Sequence, residues 1–446
     1  MSPVGASGRA GPSPARARAV EILREILEKG GRATPLLAAR GGGLSPEDHD
    51  LLRRLVLGVL RHRSSLDAEL AAASKIPWGK LAPPLREVLE VALYQVRHLD
   101  RVPDYAAVDQ AVRHARRNGG EGAARLVNAV LRNVLRKTSA APASAEETAS
   151  GLALRFSHPE FLVRRWIGRF GREAAISVLE ADNAPSGIDL LVNPRRTGRM
   201  PLAEALAGEG IETEPSPMTP LGLTVRSGNA VASPLFRAGH FSIQDAAGQA
   251  LPLLLPPGET LVDLAAAPGG KSFAAVSLGR ARRTIALDRS PSRLERLLEN
   301  RRRLGLVEVL PAAGDVMAPP LPPRGSARVL FDAPCSGTGT LRKNPEIRYR
   351  VTPEAIERLA AAQERGLASA ASLVAPGGFL LYSTCSLEAE ENERVVERVL
   401  ATDPELEPAP IEAPEGLSPF VSGSLFRVLP VASRDGFTAH LLRRRA

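Results

Sequence analysis

The chain has 446 residues, 44% of them hydrophobic, and a formal net charge of +9. That length favours about two to four domains with buried cores. Two cysteines and scattered histidines exclude a disulfide framework and a cysteine-rich zinc site, so no metal is expected. Because the first residues lack the apolar core of a secretory signal, and no run of about 18 apolar residues would span a membrane, we expect a cytoplasmic protein.

The positive charge is concentrated towards the N-terminus. Residues 1–139 contain 23 Lys and Arg against 14 Asp and Glu, an excess that equals the net charge of the whole chain. Basic charge gathered in one region attracts a polyanion such as RNA or DNA, because neutralised phosphates release their counterions. The same arginines would also suit the solvated faces of ordinary helices, so charge alone leaves nucleic-acid binding open.

Residues 15–138 are predicted to form an all-α domain, because apolar residues recur there at spacings of three and four. One such run consists of Leu51, Leu52, Leu55, Val56, Val59 and Leu60. Ser45 followed by Pro46 is typical of a helix start, and Pro84 marks another. The last helix, 123–137, combines an apolar stripe with a basic edge that is either a contact for RNA or a solvated face.

Two stretches interrupt this pattern. Residues 1–14 are rich in Gly, Pro and Ser and are expected to be disordered. Residues 139–150 have the composition of an Ala, Ser, Pro and Glu linker, and they form the clearest domain boundary.

The next region, 151–232, is predicted to contain helices followed by a small α+β subdomain. The helices are expected at 158–170 and 171–182, and strands at 187–194 and within 212–225, around a helix near 202–207. The alternative to a functional role for this module is an accessory subdomain without chemistry.

Residues 233–446 alternate short apolar runs with helical stretches, which indicates parallel strands joined by crossover helices. Strands are expected at 260–264, 283–287, 307–311, 327–331 and 378–383. An antiparallel pair at 425–429 and 437–442 is expected at the end of the chain.

The first of these strands runs into a glycine-rich turn that opens a helix. The turn consists of Ala265, Ala266, Ala267, Pro268, Gly269, Gly270 and Lys271. Glycines let the backbone approach a ligand closely, and a helix N-terminus offers free N–H groups. A phosphate-binding P-loop would need glycine at position 265, and a dinucleotide fingerprint would need a third glycine where Phe273 or Ala274 stands, so neither pattern fits.

Carboxylates end or closely follow four successive predicted strands. They are Asp263, Asp288, Asp315 and Asp332. A carboxylate after the second strand is placed to bind ribose hydroxyls, and Asp315 suits an adenine amino group. Without a phosphate-binding lysine pattern, the set favours a cationic nucleoside such as S-adenosylmethionine. A single Asp in such a position is more often a helix cap, but four together weaken that explanation.

Both cysteines of the chain also lie at predicted strand ends. Cys335 follows Asp332 within Asp-Ala-Pro-Cys-Ser-Gly, and Cys385 ends Tyr-Ser-Thr-Cys. Strand ends are where open α/β sheets hold ligands and reactive groups. The alternative for each cysteine is a small buried hydrophobic residue.

Together these motifs resemble RNA cytosine-C5 methyltransferases. The resemblance is carried by the glycine-rich turn, the Cys335 block that continues into Arg342-Lys-Asn-Pro-Glu, and the segment ending at Cys385. The helical domain, with Leu126-Val-Asn-Ala-Val-Leu-Arg, resembles the NusB-type RNA-binding domain. Over residues 15–446 the chain is similar to the bacterial ribosomal RNA small subunit methyltransferase B family. It departs at Ala265, where the family often has a cysteine.

The resemblance implies a multidomain architecture and an activity. It implies an all-α NusB-like domain at 15–138, a helical linker with a small α+β subdomain at 151–232, and an α/β Rossmann-like class I methyltransferase domain at 233–446. The implied reaction transfers a methyl group from S-adenosylmethionine to C5 of a single-stranded or flipped cytosine in 16S ribosomal RNA. The protein is expected to act as a monomer.

The resemblance also implies roles for individual residues. Cys385 would attack C6 of the cytosine, Asp332 would steady or protonate the ring at N3, and Cys335 would act in product release. A free thiol is only a few per cent ionised at neutral pH, so we expect helix N-termini or a basic neighbour, Lys271 or Arg342, to activate Cys385. Cofactor contacts are expected from Ala265, Ala266, Ala267, Pro268, Gly269, Gly270, Lys271, Asp288, Asp315 and Asp332.

Two other segments and two other functions stay open at this point. Gln244 and Asp245 lie either beside the cofactor or in a loop cap, and residues 343–345 are expected to shape the RNA side of the pocket. One alternative function is methylation of another substrate, such as transfer RNA or a small molecule. A non-catalytic RNA-binding factor is the remaining alternative, but it gives the cofactor turn and both cysteines no purpose.

Overall fold

The structure, a computed structural model, describes residues 13–136, 148–185 and 187–446. These residues form two compact units. The first comprises the chain up to Asn183 together with Lys343–Arg350, and the second comprises Ala184–Arg342 and Val351–Ala446. The predictions for residues 1–12, for Lys137 and for the linker up to residue 147 lie outside the described residues.

The first unit is helical, and its described residues include no strand, which confirms the all-α prediction. Its helices are α1 (Pro14–Lys29), α2 (Ala33–Arg40), α3 (Pro46–Ala73), α4 (Pro83–His98), α5 (Asp104–Arg136), α6 (Ala149–Phe156), α7 (Glu160–Phe170) and α8 (Arg172–Asn183).

Local sequence signals determine where these helices begin and bend. The Ser45 side chain accepts a hydrogen bond from the Asp48 N–H, and Pro46 occupies the first turn of α3, as predicted. Gly120, with φ 77° and ψ −172°, interrupts α5, so the helix predicted at 123–137 is the second segment of a kinked helix.

The apolar stripes of α1, α3, α4 and α5 pack into one core. Leu23, Leu55, Leu89 and Val127 come from the four helices, and each is fully buried. Burying a side chain of this size contributes roughly 1.5–3 kcal/mol, so tertiary packing stabilises these helices more than intrinsic helix propensity does.

Lys343–Arg350, a segment from far along the chain, completes the helical unit. Arg348 is only 3% exposed. Its guanidinium donates hydrogen bonds to the carbonyl of Arg61 at 2.8 Å, the carbonyl of Asp182 at 3.0 Å and the side-chain oxygen of Asn183 at 2.8 Å. One side chain therefore holds the end of α8 to α3.

Two further residues of the segment, Tyr349 and Glu346, also bind the helices. The Tyr349 hydroxyl donates a hydrogen bond to the Leu60 carbonyl at 2.6 Å. Glu346, nearly fully buried, accepts a hydrogen bond from the Ala33 N–H at 3.1 Å. Residues 343–345, predicted to shape an RNA pocket, are thus part of a segment that packs with the helices; that role stays a prediction.

The second unit contains a small antiparallel sheet in the order β2-β3-β1-β4. Its elements are β1 (Ile188–Val192), α9 (Arg199–Gly208), β2 (Glu212–Pro215), β3 (Gly222–Ser227), α10 (Pro234–Arg237) and β4 (Phe241–Ile243). The stretch predicted at 212–225 is a hairpin, because Pro217 and Pro220 interrupt it and cannot donate to a ladder. The fourth strand comes from beyond residue 232.

The larger sheet of this unit has nine strands. They are β5 (Gly258–Asp263), β6 (Ala281–Asp288), β7 (Val309–Ala313), β8 (Ser326–Asp332), β9 (Val374–Thr384), β10 (Leu406–Pro408), β11 (Val421–Ser422), β12 (Leu425–Val428) and β13 (Phe437–Arg444). The helices connecting or following them are α11 (Ala246–Ala250), α12 (Gly270–Ser277), α13 (Pro291–Leu304), α14 (Pro353–Ser372) and α15 (Glu393–Thr402).

The strand order of the larger sheet brings the residues that follow β5, β8 and β9 to the same edge of that sheet. The five parallel strands run in the order β7-β6-β5-β8-β9, and β13 pairs antiparallel with β9. These strands and the antiparallel pair of β12 and β13 confirm the strand predictions, and the Rossmann-like class is confirmed with them. The order reverses between β5 and β8, and such a switch point opens a crevice beyond the carboxyl ends of the strands.

We predict that Arg348→Ala loosens the helical unit. The substitution leaves buried carbonyls of α3 and α8 without a donor, at a cost of about 3 kcal/mol. Backbone amides of α3 and α8 should then exchange with solvent about a hundredfold faster, as measured by hydrogen exchange with mass spectrometry. Arg350→Ala, which removes one bond to the Gly30 carbonyl at 3.3 Å, is the matched control. Equal exchange rates in both variants would contradict the anchoring role.

Candidate active site

The glycine-rich turn is held from below by a buried carboxylate. Asp263, at the end of β5, is fully buried and accepts hydrogen bonds from the Ser272 hydroxyl at 2.7 Å and the Ala265 N–H at 3.4 Å. Gly269 adopts a φ of +109°, and a Cβ there would lie 2.3 Å from the ring of Phe273. Glycine at this position is therefore required by backbone conformation and by space.

The environment of Asp263 favours its protonated form. Burial raises the pKa of this carboxyl from 3.8 to about 6, although the Ser272 hydroxyl and the Lys271 ammonium act in the opposite direction. The negative charge of Asp332 adds to the upward shift. Asp263 thus stabilises the conformation of the glycine-rich turn, as an ordinary capping residue would.

A cavity of about 230 Å³ lies beside the turn at the carboxyl ends of the parallel strands. Its lining includes Ala265, Asp288, Asp315, Phe331 and Gln363. The other residues predicted to contact a cofactor do not line it: Ala266, Ala267, Pro268, Gly269 and Gly270 form the adjoining turn, and Lys271 and Asp332 pair with each other.

Two buried oxygens in the cavity lining lack hydrogen bonds in the described structure. They are Oδ2 of Asp288 and Oε1 of Gln363. The other Asp288 oxygen accepts from the Ser290 N–H at 2.9 Å, and Oδ2 lies 3.4 Å from the Arg293 guanidinium. Buried acceptors without donors are costly, and the hydroxyls and amino group of a nucleoside would satisfy them. The residues present therefore fit S-adenosylmethionine.

The two cysteines, 50 residues apart in sequence, meet at this edge of the sheet. Their sulfur atoms lie 3.2 Å apart. Strands β8 and β9 pair in parallel with Asp332 opposite Ser383, so the loops that follow them run side by side. The Gly339 N–H donates to the Cys385 carbonyl at 2.9 Å, and a Cβ at Gly339 would lie 2.9 Å from that oxygen.

Asp332 connects the cysteine loops to the glycine-rich turn. Its Oδ2 pairs with the Lys271 ammonium at 2.6 Å, and its Oδ1 accepts from the Ser383 hydroxyl at 2.8 Å. Burial acts to lower the pKa of Lys271, but Asp332, with Asp263 and Cys385, outweighs it and raises that pKa. Lys271 therefore remains a cation close to the Cys385 thiol.

The surroundings of Cys335 favour its neutral thiol form. The hydrogen bond with Cys385 and burial, with the charges of Glu391 and Asp332, raise the pKa of Cys335 well above its ordinary value. Cys335 therefore stays a neutral thiol, whose S–H can donate to the sulfur of Cys385.

The structure shows the contacts of three residues whose roles the sequence left open: Arg342, Asp245 and Gln244. Arg342, fully buried, donates to Asp435 at 3.0 Å and to the Ala432 carbonyl at 2.5 Å, so Lys271 is the basic neighbour of Cys385. Asp245 accepts from the Ala247 N–H at 2.9 Å and caps α11. The Gln244 side chain lies against Gly270, whose Cβ would be 3.2 Å from it.

Sequence reasoning missed Glu391, a fully buried carboxylate that accepts a hydrogen bond from the Ser336 N–H at 2.8 Å and from Ser386 at 2.5 Å. The available signal was an acidic run shortly after the Cys385 motif. Such a run is more often a solvated helix start, so the pattern alone did not single it out.

Comparison with known proteins bears on these features. Residues 250–443 match the family model described as 16S rRNA methyltransferase RsmB/F, residues 13–136 match the NusB family, and residues 158–232 match the RsmF/B-like ferredoxin-like domain. The ribosomal RNA small subunit methyltransferase B of Thermus thermophilus is 34% identical, covering 96% of this chain and 97% of its own. The chain belongs to the ribosomal RNA small subunit methyltransferase B family.

Two further relatives agree with this assignment. A probable ribosomal RNA small subunit methyltransferase B of Synechocystis is 34% identical over 95% of this chain and 98% of that protein. The crystal structure of PH0851 aligns with a TM-score of 0.78 at 26% identity, covering 98% of this chain and all of that one. The resemblance stated from the motifs is confirmed, and so is S-adenosylmethionine as the cofactor of this methyltransferase family.

The part of the chain that the structure describes lacks two further features. No group of three or more His, Cys, Asp or Glu side chains is placed to hold a metal ion there. None of the helices in that part of the chain is long and apolar enough to cross a membrane.

Asp263→Asn should change how stability depends on pH. The folded-state pKa of about 6 exceeds 3.8, so the stability provided by the bound proton is present below about pH 4 and is lost as the pH rises through about 6. Relative to the parent chain, the variant should gain about 3 kcal/mol between about pH 4 and pH 7. Urea unfolding followed by circular dichroism measures this difference.

Glu259→Gln is the matched control for that experiment, because Glu259 lies on the same strand with its side chain 59% exposed. Because a change at such an exposed position should alter stability little, urea unfolding of this variant should follow that of the parent chain. A pH-independent difference for Asp263→Asn would show that folding does not raise the pKa of the Asp263 carboxyl.

Proposed function

We propose that this rRNA methyltransferase acts on C5 of a cytosine in 16S ribosomal RNA, through a covalent bond between Cys385 and C6. The observation that carries the proposal is the 3.2 Å approach of two thiols beside the ion pair of Asp332 and Lys271. A buried hydrophobic role would not require two cysteines in contact at the carboxyl edge of the sheet. The cytoplasmic location and monomeric state predicted from the sequence remain part of the proposal.

The first step is attack by the Cys385 thiolate on C6. Cytosine C5 is a poor nucleophile, and addition of a thiolate to C6 converts the ring into an enamine that is nucleophilic at C5. The nearby Lys271 ammonium stabilises the thiolate. The Cys335 S–H supplies a second donor to the same sulfur at 3.2 Å.

We assign to Asp332 the proton at ring N3 of the cytosine. Ring N3 gains electron density as the adduct forms, and a carboxyl group beside it can hold or share a proton. Lys271 and Ser383 fix the orientation of Asp332. The cofactor, when bound, supplies the electrophilic methyl group that C5 takes up.

Release requires loss of the C5 proton and elimination of the Cys385 sulfur. A neutral thiol cannot accept a proton, so we assign to Cys335, which adjoins that sulfur, the positioning of the base that removes the C5 proton; the electron pair of the C5–H bond then re-forms the C5–C6 double bond and expels Cys385 as a thiolate. The role of Cys335 in the preceding step as a neutral thiol is consistent with its raised pKa, because a thiol that stays protonated does not compete as the nucleophile.

The RNA contact is proposed to include the basic edge of α5. Arg125, Arg132 and Arg136 are all exposed on the second segment of that helix. Their charges suit a phosphate backbone and carry no base specificity. The target cytosine must be unstacked for C6 to reach the thiol. The division at 15–138, 151–232 and 233–446 is retained as the proposed domain organisation.

The two cysteines should give opposite phenotypes on substitution. Cys385→Ala should abolish methyl transfer, because no thiolate remains to activate C5. Cys335→Ala should allow attack and methylation but slow release, so a protein–RNA adduct should accumulate on denaturing gels. Retained binding of S-adenosylmethionine by both variants is the control for folding. Normal turnover by Cys385→Ala would exclude it as the nucleophile.

The substrate can be mapped separately from the chemistry. Bisulfite sequencing of ribosomal RNA from cells with and without the protein should reveal one 5-methylcytosine in 16S RNA that depends on the protein. A new 5-methylcytosine in transfer RNA alone would support the alternative substrate. Absence of any new 5-methylcytosine, with methyl incorporation elsewhere in 16S RNA, would reject cytosine C5 as the target.

A further inference from the structure

Glu391 lies outside the motifs that identified the site, yet it connects both of their cysteine loops. It ends the short 3₁₀ turn Ala389–Glu391 and is fully buried. An ionised carboxylate in such a place is costly unless hydrogen bonds compensate for the lost water. The bonds that this side chain makes therefore indicate what it is for.

The carboxylate of Glu391 accepts four hydrogen bonds. Its Oε1 accepts from the Ser336 N–H at 2.8 Å and from Nε2 of Gln363 at 3.0 Å. Its Oε2 accepts from the Ser386 hydroxyl at 2.5 Å and from the Ser336 hydroxyl. The Ser336 N–H and the Gln363 amide nitrogen can only donate, so the Oε1 position requires an acceptor, whereas the two serine hydroxyls at Oε2 can donate or accept.

The partners of Glu391 follow the two cysteines directly. Ser336 is the residue after Cys335, and Ser386 is the residue after Cys385. The two serine hydroxyls lie 3.2 Å apart, with the carboxylate bridging them. A single side chain thus joins the two loops just beyond the paired ends of β8 and β9, in addition to the bond from the Gly339 N–H to the Cys385 carbonyl.

We propose that Glu391 is a positioning residue that holds Cys335 and Cys385 at their working separation, through its bonds to Ser336 and Ser386. This inference rests on the proposed function for the meaning of the two cysteines. The Glu391 charge acts on Cys335 across the Ser336 turn, and Gln363 links the same carboxylate to the lining of the cofactor cavity.

The ionisable groups around Cys335 act in one direction. Cys385, Glu391 and Asp332 all raise the pKa of its thiol, and the Tyr382 phenol beside them has a raised pKa as well. Removing the Glu391 charge should lower the Cys335 pKa, because that charge contributes to its upward shift. The neutral form of the Cys335 thiol would then be less favoured, and the distinction between nucleophile and release residue would weaken.

Glu391→Gln is the informative variant, because it keeps the size of the side chain but replaces one acceptor with a donor. With the amide oxygen at the Oε1 position, the two serine hydroxyls would have to turn from donating to accepting and would lose their charge-assisted bonds, which weakens the link between the loops and lets them shift. A displacement of about 1 Å in an active site costs about a hundredfold in rate. We expect a fall of about that size in the turnover number, with an unchanged KM for S-adenosylmethionine.

Thiol alkylation provides a readout that needs no RNA. The chain contains only the two cysteines, so the rates of iodoacetamide labelling at Cys335 and Cys385, resolved by mass spectrometry, report on this site alone. In Glu391→Gln the pH at which Cys335 becomes reactive should fall. A residue with a merely structural role would not move this profile.

Glu390→Gln is the matched control, because Glu390 belongs to the same turn and pairs with the largely exposed Arg394 at 3.3 Å. It should retain the parent turnover and alkylation profile. Glu391→Asp, which shortens the side chain but keeps the charge, should lower turnover while leaving the Cys335 profile close to that of the parent chain. Cofactor binding confirms that each variant is folded.

The outcomes separate this inference from the proposed function. Parent-like turnover and alkylation in Glu391→Gln would overturn the positioning role while leaving the methylation chemistry intact. Failure of the parent chain to form 5-methylcytosine would reject the proposed function, yet the alkylation profile would still test the effect of Glu391 on Cys335. An altered profile with reduced turnover in Glu391→Gln alone supports the inference.

Discussion

The parallel pairing of β8 with β9 is the constraint on which the site depends. It places Asp332 opposite Ser383 and brings together two loops whose cysteines are 50 residues apart in sequence. A slip of one residue would move Cys385 by about 3.3 Å and turn neighbouring side chains to the other face. Backbone hydrogen bonds deep in the sheet therefore set the contact between the sulfurs before any side chain adjusts it.

Charge then distinguishes two chemically identical thiols. The Lys271 cation lies on the side of Cys385, where Asp332 holds it, whereas Glu391 lies behind the loop of Cys335. In a region of low dielectric, such charges influence ionisation much more than they would in water. The arrangement keeps Cys335 a neutral thiol and places a cation near Cys385, as the proposed attack and release require.

The sequence predicted most of the fold because its signals are local. Apolar periodicity located the helices and the five parallel strands, and the motifs identified Cys335, Cys385 and Asp332. Partners chosen by tertiary structure were beyond such reasoning. Arg342 was as plausible a neighbour of Cys385 as Lys271 was, until the fold paired it with Asp435. Glu391 was missed because its partner Ser336 is 55 residues away in sequence.

One continuous stretch of chain serves both units. It provides Asp332 and Cys335 to the methyltransferase unit and then, within the next fifteen residues or so, Arg348 to the helical unit. The segment that follows the cysteine loop is therefore ordered within the helical unit, by the bonds of Arg348. Loss of the Arg348 bonds would give that segment more conformational freedom, which raises the entropic cost of ordering the loop. Glu391 also limits the conformational freedom of the cysteine loop, because it binds Ser336 within that loop.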